Sequence, residues 1–180
     1  MQSPERTRPH VPPGRRPTLL AELLAAFKID FPNERAYPAA ISWVAATVIS
    51  IVGSLVTDAL LVLICEAIFP STKGFVHFQF SDYGKLTVIG VVIACLAWPV
   101  TTAISSAPRW VFLRMAVLVT LVLWLPDIWI LIHGEPPRAV AFLMLMHLAI
   151  ALVTYNALVH LAPPRRTSEQ KRALRRARRP

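Results

Sequence analysis

Four long apolar stretches, at about residues 41–68, 86–104, 111–132 and 139–161, fill most of this chain. Each has about the ~20 residues a helix needs to cross a bilayer. The expected fold is therefore all-α, a polytopic membrane protein built as a four-transmembrane-helix bundle. A hydrophobic content of 55%, above the usual share of a soluble domain, points the same way.

Charge divides the chain into three parts. Residues 1–36 hold six basic and four acidic side chains, the stretch from 37 to about 163 holds five of each, and the tail from Arg165 to Pro180 holds eight basic residues against Glu169 alone. Short basic flanks are retained on the cytoplasmic side of a membrane. Both termini are thus expected in the cytoplasm, which requires an even number of spans. The expected organisation is a cytoplasmic N-terminal segment over 1–36, a membrane domain over 37–163 and a basic cytoplasmic tail over 164–180. The connection at Pro108 and Arg109 then falls inside, and the loop from Pro70 to Lys85 and the turn at Gly134 to Arg138 fall outside.

The first apolar run starts only near Ala39, behind a Pro- and Arg-rich lead, so the first span is expected to remain in the mature protein. Five prolines among charges over residues 1–17 predict disorder there. After them Leu19, Leu20, Leu23, Leu24 and Phe27 recur at helical spacing behind Thr18, a suitable N-cap. That pattern predicts a short helix on the membrane surface, stopped by Pro32. A second, cationic helix is predicted over Gln170 to Arg179.

Arg165, Arg166, Arg172, Arg175 and Arg176 are read as contacts to anionic lipid headgroups. The competing reading, nucleic-acid binding, lacks the aromatic platform on which bases stack. Membrane lipids are the expected partners, with a homo-oligomer or another membrane protein beside them. Cys65 and Cys95 differ in expected depth by roughly 15 Å along the helix rise, too far for a disulfide, and are read as packed or lipid-facing thiols.

Small and polar residues mark the face each helix turns to its neighbours. Span one places Ala46, Ser50, Ser54 and Asp58 four apart; span two lines up Gly90, Ala94, Ala97, Thr101 and Ser105. Span three aligns Thr120 with Asp127, and span four aligns His147, Ala151 and Thr154. Small residues let backbones approach and hydroxyls bond across the contact, so Ser50, Ser54, Gly90, Ala94, Thr120, Ala151 and Thr154 are the predicted packing positions of a compact bundle.

Ionisable groups at membrane depth are costly and are functional candidates. Asp58, Asp127 and His147 fall at similar depth and are expected to form an intramembrane polar cluster, serving either as helix glue or as a proton-loading site. Pro126 and Pro99 remove backbone donors within their helices. Arg114 is expected to snorkel to the inner headgroups. In the loop after span one, alternation over Phe75 to Phe80 suits a hairpin or a loop folded over the bundle mouth, whereas Phe78, Phe80 and Tyr83 also suit an interfacial aromatic belt. The tryptophans fit membrane anchoring or bundle packing.

Nucleotide-binding loops, HExxH and CxxC are missing from the sequence, so nucleotide, zinc-protease and dithiol functions lack their usual parts. No cofactor or metal is expected, and catalysis is not.

The Leu125-Pro126-Asp127 step, the Met146-His147-Leu148 step and the short loop after span one resemble an uncharacterised family of actinobacterial four-helix membrane proteins, a domain of unknown function. The resemblance covers about Ser42 to Leu161 and implies a bacterial plasma-membrane protein without naming an activity. The expected function is a non-enzymatic accessory or partner-binding membrane subunit. The alternative is a small proton-linked transporter or channel using Asp58, Asp127 and His147.

Overall fold

The structure, a computed structural model, describes residues 19–26 and 37–165. A short helix α1 (Leu19–Ala26) precedes four long ones, α2 (Ala40–Ile68), α3 (Phe80–Ile104), α4 (Pro108–Ile132) and α5 (Pro137–Leu161). All four are long and apolar enough to cross a membrane. In α1, Leu19 and Leu23 are exposed. Thr18, Phe27 and Pro32, which frame the predicted surface helix, lie outside the described residues, as do the predicted disorder of 1–17 and the helix over 170–179.

The observed spans start earlier than the apolar runs do, for local reasons. Pro108 and Pro137 open α4 and α5, where a missing N–H costs nothing and the fixed φ suits the first turn. The start of α3 moves furthest, to Phe80. There the amides of Asp82 and Tyr83 turn onto the Gln79 carbonyl, and Asp82 sits in the first turn, complementing the helix dipole. Residues 80–85, expected as loop, are helix. At the end of α4, Gly134 takes φ +98°, a conformation that side chains with a Cβ avoid.

The bundle has a loop end, carrying residues 69–79 and 133–136, and a terminal end, where α2 begins and α5 finishes. At the terminal end Pro38 and Pro164 form an isolated antiparallel bridge, and the Arg165 amide donates to the Tyr37 carbonyl at 3.2 Å. Helix α5 packs against α2, α3 and α4, most extensively against α2. The α2–α5 contact is tight: a Cβ added to Gly53 would lie 3.0 Å from Val153 Cγ1.

Two apolar clusters hold the ends. Ala46, Val91, Cys95, Trp98, Phe112, Leu158, Val159 and Ala162 form the one nearer the termini. Val62, Cys65, Phe75, Phe78, Tyr83, Ala139 and Met146 form the one beneath the loop. Both cysteines are free and buried.

The loop is neither a hairpin nor an aromatic belt. Two 3-10 turns, Pro70–Thr72 and Val76–Phe78, fold it back so that Phe75 and Phe78 are 9% and 6% exposed while Phe80 remains 64% exposed. Tyr83 is also buried. Their rings share one buried cluster with Met146 and Val62, and the loop caps the bundle, the other form expected of it.

Candidate functional site: a buried polar layer

The inward face of α2 reads Ala46, Ser50, Ser54, Asp58, Val62, Cys65, a spacing of about one helical turn that keeps these side chains on one side. Asp58 is fully buried. Its Oδ2 accepts a hydrogen bond from Thr87 Oγ1 of α3 at 2.7 Å, while Oδ1 has no hydrogen-bond partner. His147 Nδ1 of α5 lies 3.0 Å from Asp127 Oδ2 of α4. The distance is that of an ion pair, but neither atom meets hydrogen-bond geometry, so the contact is close and misaligned. Asp127 is 3% exposed, whereas the His147 side chain keeps 23% of its surface.

Of the sequence-predicted cluster, the structure brings His147 and Asp127 together and pairs Asp58 with Thr87 instead, two contacts that between them involve all four spans. Nearer the termini, Ser54 Oγ, one turn from Asp58, and Thr154 Oγ1, two turns from His147, are buried without a hydrogen-bond partner, on the two helices that Gly53 and Val153 bring together. Among the described residues no group of three or more His, Cys, Asp and Glu side chains is placed to hold a metal ion. Two clefts, of about 150 and 470 Å³, are not lined by Asp58, Asp127 or His147.

Packing positions divide. Ser50, Ser54, Thr120 and Thr154 are buried, and Ala94 is half-buried against the terminal cluster. Half-buried Ala151 shares the wall of the smaller groove with Thr120. Gly90 departs from expectation. It is exposed, and a Cβ there would meet nothing within 4 Å, because α3 turns Val91 and Thr87 inward and Gly90 out. The expected cross-helix role of the hydroxyls is also corrected. Ser50, Thr57, Thr101 and Thr120 each donate to the carbonyl four residues earlier in their own helix, the local acceptor that is always in reach. Thr87 does cross, to Asp58 of α2, and the Tyr155 hydroxyl of α5 reaches the Arg109 carbonyl of α4 at 3.5 Å.

Tryptophan supplies what the hydroxyls do not. Trp43 Nε1 donates to the Cys95 carbonyl at 2.9 Å, Trp98 to Ala162 at 2.8 Å and Trp124 to Met144 at 3.0 Å. Each bond joins two spans or a span to the end of another. Pro99 has no N–H, so the Cys95 carbonyl lacks its helical donor; that signal is in the sequence, four residues from Cys95. Arg114 lies with its guanidinium 3.3 Å from the Trp110 ring centre, turned toward the terminal end. Arg165 is exposed; Arg166, Arg172, Arg175 and Arg176 lie outside the described residues.

Fold and site together define a four-span helical membrane protein with a polar layer between two apolar ends. Comparison with protein-family models, curated proteins and solved structures found no match.

Proposed function

We infer that this protein is a non-enzymatic accessory subunit of a bacterial plasma membrane, with both termini in the cytoplasm, that offers α4 to a second membrane helix. What carries the reading is the unequal cover of the spans. Only 11% of the most apolar part of α4 is buried, against 28%, 33% and 28% in α2, α3 and α5. Its buried residues are Val111, Phe112, Thr120 and Asp127, and the remaining apolar surface suits a helix of the same or another chain. The antiparallel bridge between Pro38 and Pro164 supports termini on one side, and the basic flanks favour the cytoplasm for that side. The resemblance to the actinobacterial family belongs to the same reading; the Asp127–His147 contact joins the two tripeptides on which it rests.

The test is photo-crosslinking in native membranes from Val122 on α4 and from Ile93 on α3, both exposed. A discrete adduct from Val122 and none from Ile93 is expected. No adduct from either position, or equal adducts from both, defeats the reading.

A second reading, proton-linked transport, draws on five buried and unbonded polar atoms: Ser54 Oγ, Asp58 Oδ1, Asp127 Oδ2, His147 Nδ1 and Thr154 Oγ1. Such atoms are costly in hydrocarbon. The reading requires proton flux in liposomes that Asp58→Asn abolishes, and it fails if wild-type vesicles hold a pH gradient as well as empty ones do.

A further inference from the structure

A groove of about 470 Å³ runs between α2 and α3 at the loop end, lined by Leu55, Phe80, Ser81, Gly84, Lys85, Val88 and Ile89. From Phe80 to Ile89 the helix rises nine residues, roughly 14 Å, a length that takes most of a fatty-acyl chain. The floor exists because position 84 has no side chain; a Cβ there would already meet the Phe80 ring at 3.4 Å. Leu55 from α2 and Val88 and Ile89 from α3 give apolar walls. The chemistry changes at the upper end. Ser81 and Lys85, four apart and both exposed, stand on one face of α3 at its N-terminal turns.

The two ion pairs among the described residues are His77–Asp82 and His147–Asp127, and Lys85 belongs to neither. The carboxylate nearest in sequence, Asp82, is engaged by His77 Nδ1 at 2.8 Å. An apolar slot that ends in a hydroxyl and an unpaired ammonium near a helix end is complementary to a molecule with a hydrocarbon tail and an anionic head. We propose that this groove holds one acyl chain of an anionic glycerophospholipid, with Lys85 and Ser81 meeting its phosphate. This site is at the opposite end of the bundle from the basic tail and does not depend on it.

The experiment is native mass spectrometry of the full chain, released from detergent after titration with phosphatidylglycerol or phosphatidylcholine. The wild type is expected to retain one phosphatidylglycerol with about a fivefold preference over phosphatidylcholine. Lys85→Gln, an exposed change that leaves the fold intact, should equalise the two lipids, and Lys73→Gln should not. Ile89→Trp, which fills the groove from its exposed side, should lower retention of both.

A wild type without preference, or a Lys85→Gln variant that keeps it, overturns the proposal in favour of unspecific headgroup contact. So does inorganic phosphate that displaces the lipid while Ile89→Trp has no effect, because the anion would then bind without the slot.

Discussion

The indole of Trp43 donates at 2.9 Å to the Cys95 carbonyl, the carbonyl whose helical donor position is occupied by Pro99. A proline kept inside α3 thus leaves an acceptor at membrane depth, and a neighbouring span satisfies it. The bond ties α2 to α3 where the terminal cluster packs, with Trp43 lying against that cluster.

Trp43→Phe should accordingly lower stability in detergent by about 0.6–1.7 kcal/mol. In a Pro99→Ala background, where the helix supplies its own donor at position 99, the same change should cost less. A double-mutant cycle read by thermal unfolding decides it; additive effects would separate the indole from the proline.

Thr87→Val removes the bonded partner of a fully buried carboxylate and leaves both oxygens of Asp58 unpaired. A loss of about 1–3 kcal/mol is expected, and Thr87→Ser, which keeps the hydroxyl, should recover most of it. Thr87→Ser melting below Thr87→Val would mean that the methyl, which serine lacks and valine keeps, matters more than the bond.

The glycines separate close packing from open surface. Gly53→Leu should disrupt the α2–α5 contact, since a Cβ alone reaches 3.0 Å from Val153, whereas Gly90→Ala meets nothing and should stabilise the helix slightly, by up to about 1 kcal/mol. Chemical unfolding of the pair tests the assignment, and a destabilising Gly90→Ala would place that residue in a contact outside the monomer.

Phe78→Ala should loosen the cap over the loop end at a cost of about 3 kcal/mol or more. Cys65 Sγ lies 3.6 Å from Thr72 Oγ1 beneath this loop, so its labelling by a water-soluble maleimide should accelerate, while Cys95, buried against Trp98 and Phe112, stays protected. Parallel acceleration at both thiols would indicate general unfolding instead.

The number and type of elements were legible because an apolar run of bilayer length has one regular solution, and the α2 face was legible because Ser50, Ser54 and Asp58 repeat at one turn. Depth counting also put His147 within reach of Asp127, and the two meet at 3.0 Å. What it could not resolve was rotation. Gly90 and Thr87 are three residues apart, and a modest turn of α3 about its axis decides which one faces α2. Partner choice was hidden for a similar reason: a serine or threonine in a helix can satisfy itself on the preceding turn, so hydroxyl spacing alone does not specify a cross-helix bond. For the loop, one of the forms the sequence allowed, folding over the bundle mouth, is the one found; the choice was not legible because Phe78 and Tyr83 suit a membrane interface as well as a core, and Met146, which shares their cluster, is distant in the chain.

The bridge between Pro38 and Pro164, reinforced by the Arg165 amide on the Tyr37 carbonyl at 3.2 Å, gives the two flanks a common point of departure. Six basic residues precede it and eight follow from Arg165 onward. Two separately encoded charge runs thus enter and leave the bundle at one point, so the potential at that end is set by the sum of both, fourteen basic residues against the five acidic ones Glu5, Glu22, Asp30, Glu34 and Glu169, rather than by either alone.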